Sequence, residues 1–248
     1  KSSTVLDEIF HVRSAGITNI NIDLIAGLPH QTSESWRDSL QRTIDSGVPH
    51  VSVYMLEVDE ESRLGRELIA GGARYHAHFV PDEDATAEFY VTACEILNSS
   101  AIRQYEISNF ARHGFESRHN LKYWTRQPYL GFGVDAHSML LSASGGEDAV
   151  RVATADSLEK YISGTRPEPT LVSRSAALEE AFFLGLRLNR GVDLVEIAGE
   201  FGEQSEIRRT IAELEGKGLL ECVGESVRLT GRGRLLSNEV FQAFLAPA

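Results

Sequence analysis

The sequence predicts an α/β fold: strand–helix units of a parallel sheet or partial barrel, then a small helical module with the outline of a winged helix-turn-helix. Three observations carry this. A helix–strand–helix–strand rhythm with short loops runs from Lys1 to Val58. A stretch with two prolines, TRPEPT, precedes a change of composition. Beyond it, helices are followed by a short hairpin over about 75 residues.

KSSTVLDEIFHVRSAGI sets Val5, Leu6, Ile9, Phe10 and Val12 at helical spacing before a Gly16 stop. It has no initiating Met and reads as a helix already under way, so the beginning of the chain is expected to be missing. In NINIDLIAGLP, Ile20, Ile22 and Leu24 alternate with Asn19, Asn21 and Asp23, the period of a strand that Gly27 and Pro29 end. Ser33 or Ser35 caps a helix through Trp36, Leu40 and Ile44 to Gly47, and HVSVYMLEV is the second strand. SRLGRELIAGG is a short helix, GARYHAHFVPDED a loop, and ATAEFYVTACEILNSS an amphipathic helix. IRQYEISNFAR reads as one strand and GFGVDAHSMLLSA as a glycine-punctuated one; SASGGEDAV is a turn and DSLEKYISG a short helix. With TRPEPT as linker, the expected domains are 1–165 and 166–248. AALEEAFFLGLRL, LVEIAGEFGE and SEIRRTIAELEGKG are helices, LLECVGESVRLT a hairpin around Gly224, and GRGRLLSNEVFQAFL a closing helix.

Composition narrows the function classes. At 248 residues, 42% hydrophobic and 24% charged, the chain can bury a sizeable core. A net charge of −12 opposes wholesale binding to nucleic acid or anionic membrane. No run of about 18 apolar residues suggests a membrane span, and no signal-peptide pattern is present. Cys94 and Cys222 read as reduced thiols of a cytoplasmic protein.

Four segments can carry chemistry. In a barrel strand Asn19, Asn21 and Asp23 face the lumen, where Asp23 either binds a ligand or caps a loop. GFGVDAHS (131–138) either approaches a ligand closely or simply enters a strand tightly. SRHNLKYW (117–124) brings His119, Asn120, Tyr123 and Trp124 together. A neutral imidazole ligates haem iron and aromatic faces stack on a porphyrin; a core aromatic pair beside a capping His-Asn, or a base-stacking platform, uses the same residues. The tail is the fourth segment. Helix Ser205–Lys217 balances Arg208, Arg209 and Lys217 against Glu206, Glu213 and Glu215, which disfavours DNA binding.

NINIDLIAGLP, HVSVYMLEV, YEISNFAR followed by SRHNLKYW, and YLGFGVDAHSML occur in the order in which the HemW family carries them. The sequence therefore resembles these radical SAM proteins, regarded as haem chaperones, over essentially its whole length. The resemblance implies the C-terminal part of a partial (β/α) radical SAM barrel with an α/β extension and a winged-helix-like C-terminal module. It implies that Asp23 contacts S-adenosylmethionine, with Met55 and His137 nearby, and that His119, Asn120, Tyr123 and Trp124 hold haem, His119 as the iron ligand. The implied partners are haem and a haem-acceptor protein, with peripheral contact to membrane-bound acceptors and no nucleic acid. The alternative function is oxygen-independent coproporphyrinogen III oxidation. The implied [4Fe-4S] cluster needs C-x-x-x-C-x-x-C, which two cysteines cannot supply, so S-adenosylmethionine cleavage by this chain alone is not expected. Two positions depart from the family pattern: His30 in GLPHQT and Asp135 in DAHS each replace a glycine.

Overall fold

The computed structural model describes residues 2–72, 74–141, 149–165 and 167–245. The turn read at SASGGEDAV lies largely outside them, at 142–148, as does Arg166 of the linker. The chain packs as two compact units, Lys1–Glu116 and Ser117–Ala248.

In the first unit α1 (Ser2–Ser14) ends before Gly16, which sits at φ 89° where glycine carries no Cβ penalty. β1 (Asn21–Ala26) and β2 (His50–Met55) run parallel, from Asn21↔His50 to Ala26↔Met55, with α2 (Ser33–Asp45) as the crossover. Thr32, rather than Ser33 or Ser35, is the cap of α2: its hydroxyl accepts from Ser35 N while the Ser35 hydroxyl accepts from Thr32 N. α3 (Arg63–Ile69) and a segment of 3-10 character kinked at Tyr75 and His76 (Arg74–Phe79; φ 56° at both) lead to α4 (Glu83–Ser99).

IRQYEISNFAR is two strands, not one. β3 (Arg103–Gln104) and β4 (Asn109–Ala111) pair antiparallel because the buried Glu106 side chain accepts from Ser108 N and the Asn109 amide, turning the chain between them. The sheet order is β1-β2-β4-β3; β4 joins β2 antiparallel, so the sheet is mixed. One face is apolar: Ala26, Val51, Val53 and Phe110 are buried, as are Trp36 and Leu40 of α2 and Phe89, Ala93 and Leu97 of α4. The Trp36 indole donates to Phe89 O at 2.7 Å, so the largest side chain of this core leaves no polar atom unsatisfied. Truncating it to Ala would cost about 3–5 kcal/mol.

The second unit begins with α5 (Arg118–Trp124). β5 (His137–Leu141), β6 (Ala149–Ala153) and β7 (Thr170–Leu171) form an antiparallel sheet, with α6 (Leu158–Ile162) between β6 and β7. The strand expected from Gly131 starts only at His137, because Gly133 (φ 112°) and Asp135 (φ 54°) keep the preceding backbone out of the extended region. The 165/166 border read from the sequence falls inside this unit, where β7 just beyond it pairs with β6 just before it.

α7 (Arg174–Gly185), β8 (Val192–Asp193), α8 (Leu194–Phe201), α9 (Ser205–Gly216), β9 (Leu220–Val223) and β10 (Ser226–Leu229) follow, with strand order β8-β10-β9. The closing helix is two pieces, α10 (Gly231–Leu235) and α11 (Ser237–Gln242). Leu236 leaves the helical region (φ −108°, ψ 30°), and beyond it Val240, Phe241 and Phe244 are buried, Phe244 stacking on Phe182 at 4.8 Å. Among the described residues no helix is long and apolar enough to cross a membrane.

Candidate functional site

Two constellations emerge, one in each unit. The first is the polar face of the β1–β2–β4 sheet. Alternation along β1 and its register with β2 put Asn21, Asp23 and Ile25 on one face with His50, Ser52 and Tyr54. Asn109 of β4 pairs with Ser52 and joins them. Asn21 Nδ2 donates to Asp23 Oδ1 at 2.6 Å and lies 3.1 Å from Ser52 Oγ. Asn21 Oδ1 is 2.7 Å from His50 Nδ1 and accepts from Ser52 Oγ at 3.3 Å. His50 Nε2 is 2.9 Å from the Tyr105 hydroxyl. His50 is 7% exposed, and burial pushes its pKa down, against the opposing pull of Asp23 and then Glu116.

Asp23 itself is exposed and is the third of the six residues of β1. Met55, opposite Ala26, alternates with Tyr54 and so points to the Val51–Val53 side. Toward the polar face it offers main chain only. His50, Ser52, Tyr105, Glu106 and Asn109 were not singled out from the sequence. The phase of HVSVY, with His50, Ser52 and Tyr54 alternating with valines, marks the first two. No periodicity marks the others, because they sit on a hairpin.

The second constellation is α5 and its supports. Ser117 Oγ accepts from Asn120 N at 3.2 Å and starts the helix. His119 is exposed on its first turn, and its Nε2 lies 2.8 Å from the Tyr123 hydroxyl one turn on. The two rings are T-shaped at 4.8 Å. Tyr123 also packs edge-on against Tyr129 at 4.5 Å, and Tyr129 bridges Met139 of β5, so α5 is tied to the strand that carries His137.

Trp124 turns the other way. The Arg187 guanidinium of the segment after α7 stands 4.3 Å over its ring. Arg126, at φ 51°, lies 3.6 Å from Glu180 and 3.3 Å from Glu200, and Arg151 meets the same Glu180 at 2.7 Å. Glu180 is buried at 8% exposure, while Arg126 is half-buried and the Arg151 side chain is 43% exposed, so a partly solvated Arg–Glu–Arg cluster underlies the end of α5. A cleft of about 280 Å³ opens beside it, lined among others by Trp124, Arg126, Arg190, Asp193, Glu196 and Glu200.

His137 is exposed at the start of β5, with Nε2 3.9 Å from Asp135. Gly131 is required by the protein's own backbone: a Cβ there would overlap the His137 carbonyl. His30 (φ 63°) and Asp135 (φ 54°) both hold the left-handed conformation, at a cost of roughly 1–2 kcal/mol each. His30 stacks on Phe79 at 4.0 Å and donates its N–H to Phe79 O at 2.9 Å, contacts that offset the strain.

Asp23 and Met55 thus belong to the first unit, and His119, Asn120, Tyr123, Trp124 and His137 to the second. Cys94 and Cys222 lie one in each unit and are not joined in a disulfide, and among the described residues no group of three His, Cys, Asp or Glu side chains could hold a metal. The residues present do not fit a [4Fe-4S] cluster.

The family described as HemN C-terminal domain matches residues 172–236. A Bacillus subtilis protein described as heme chaperone HemW is 34% identical over 250 residues, covering 99% of this chain and 64% of that protein. Its Lactococcus lactis counterpart is 31% identical, covering 97% and 62%. The chain therefore spans less than two thirds of the length of these relatives. A solved structure of coproporphyrinogen III oxidase (HemN) from Escherichia coli, titled a radical SAM enzyme, matches with TM-score 0.74 at 20% identity. The match covers 98% of this chain and 58% of that one, a likeness that shows the α/β fold. With the sheet, the His119 helix and the C-terminal match all carried by one sequence, the chain is HemW-like.

Proposed function

We propose that this chain serves haem chaperoning: it binds haem through α5 and passes it to an acceptor protein. The observation that carries the reading is the pairing of an exposed His119 with Tyr123 at 2.8 Å. When Nε2–H donates to the phenol oxygen, Nδ1 keeps a free lone pair. That is the neutral, oriented imidazole that iron takes. Tyr123 sets the ring plane, Asn120 lies on the same helix turn, and Trp124 anchors the helix under Arg187.

Asp23 is the proposed S-adenosylmethionine contact, with the main chain at Met55 and the His137 imidazole as further contacts. An exposed carboxylate with one oxygen engaged by Asn21 suits the hydroxyls of that ligand. S-adenosylmethionine with a [4Fe-4S] cluster supplies radical chemistry in radical SAM proteins; for this chain both belong to the proposal for the whole protein. The segment 166–248 is proposed as a C-terminal module of winged-helix type, supported by the α7–β8–α8–α9–β9–β10 order and the match over 172–236. Its role is packing, not DNA reading. The proposed setting is the cytoplasm, with peripheral contact to membrane-bound acceptors.

Haem titration tests the reading. A Soret shift is expected that His119→Ala weakens; an unchanged spectrum in that variant removes His119 from the site. Coproporphyrinogen III oxidation is the second reading, drawn from the fold likeness. It predicts product from coproporphyrinogen III under anaerobic conditions with S-adenosylmethionine and a loaded cluster.

A further inference from the structure

We propose that His50 is a positioning residue that, through Asn21, holds the Asp23 carboxylate ready to receive the two hydroxyls of a ribose. The inference rests on the reading of Asp23 as the S-adenosylmethionine contact and adds the device that orients it.

The argument follows the hydrogens. A carboxylate only accepts, so the atom of Asn21 at 2.6 Å from Asp23 Oδ1 is the amide nitrogen. The amide oxygen then faces His50 Nδ1 at 2.7 Å and the Ser52 hydroxyl at 3.3 Å, and accepts from both. His50 must therefore carry its proton on Nδ1, and Nε2 accepts from the Tyr105 hydroxyl at 2.9 Å. Every donor in the chain Tyr105, His50, Asn21 points toward Asp23. Reversing the Asn21 amide would set an oxygen against a carboxylate, so the chain has one direction.

Its setting makes it stiff. His50 is 7% and Ser52 3% exposed, and β1–β2 register fixes Asn21 opposite His50 and Asp23 opposite Ser52. Burial favours the neutral imidazole that the chain requires. Asn21 and Asp23 are exposed, and Oδ1 of Asp23 is held by the Asn21 amide. A carboxylate held by an exposed amide that is itself oriented by the buried His50 and Ser52 accepts from two adjacent hydroxyls at a smaller cost in rotamer entropy. The chemical class is a nucleoside with a free 2′,3′-diol.

Two measurements on the full chain decide it. Long-range 1H–15N correlation, with His50→Gln for assignment, should show His50 neutral and protonated on Nδ1 at pH 7.5, and Tyr105→Phe should shift the Nε2 resonance. A proton on Nε2 overturns the proposal. The second measurement compares the affinity of adenosine with that of 2′,3′-dideoxyadenosine. The preference for the diol should vanish in Asp23→Asn and fall about tenfold in His50→Gln and in Tyr105→Phe. Neither should change it further on the Asp23→Asn background. Tyr105→Phe keeps the ring beside His50 (centroids 5.8 Å apart) and serves if His50→Gln does not fold. If Asp23→Asn removes the preference and Tyr105→Phe leaves it intact, positioning by His50 is wrong and the Asp23 reading stands. If the unsubstituted chain shows no preference for the diol, the Asp23 reading falls and the proposal with it.

Discussion

Two histidine–tyrosine pairs, one in each unit, share a bond and differ in everything around it. His50 and Tyr105 meet at 2.9 Å, His119 and Tyr123 at 2.8 Å. His50 is buried in a sheet, with both ring nitrogens engaged and its partner 55 residues away. His119 is exposed on a two-turn helix, with its partner one turn along the same helix. The same dyad therefore sits in opposite surroundings, one buried and one exposed. An imidazole with no free nitrogen can only orient its neighbours, whereas one with a free nitrogen can bind.

The widest separation between the pairs is expected with haem. His119→Ala should weaken the Soret shift at least about tenfold in affinity, while His50→Gln leaves it unchanged. Equal loss in both variants would erase the distinction. Next in size is the support beneath α5. Glu180→Ala leaves Arg126 and Arg151 without their shared carboxylate, and should destabilise the second unit by about 1–2 kcal/mol in denaturant unfolding. A change below about 1 kcal/mol would mean that water already relieves the cluster.

A finer cut removes one hydroxyl from each pair. Tyr123→Phe should weaken haem binding about tenfold, and Tyr105→Phe should not touch it, costing instead about 1 kcal/mol of stability. The smallest effect is in pH. Burial holds the folded His50 below its ordinary 6.5, so as pH falls past that value the unfolded chain takes up a proton that the folded chain does not. Stability should decline from about pH 6.5 down to the depressed folded value and level off below it. His50→Gln should flatten this part of a melting-temperature profile; an unchanged slope assigns the titration elsewhere.

The two pairs were not equally legible. Asp23 could be read from alternation, since a lone strand already says which residues share a face. His50 and Ser52 show the same phase in HVSVY, but their meaning needs the register that brings Asn21 opposite His50. Tyr105 was hidden by the expectation of one strand through YEIS, which the buried Glu106 turns into a hairpin. In α5 the i,i+4 spacing of His119 and Tyr123 is visible in sequence. The inward turn of Trp124 is not, because Arg187 lies 63 positions further on. At His30 and Asp135 the sequence shows only a departure from the family pattern; their backbones hold the left-handed conformation that a glycine would adopt more cheaply.

The placement of the two tryptophans makes the molecule its own optical instrument. Trp36 is sealed in the first unit at 1% exposure, and Trp124 ends the helix that carries His119 in the second. In a Trp36→Phe background the remaining emission comes from the helix that would meet haem, and a porphyrin at that distance would drain it by energy transfer. In a Trp124→Phe background the emission reports only whether the sheet beneath Asp23 is folded. One lamp follows the cargo and the other the scaffold.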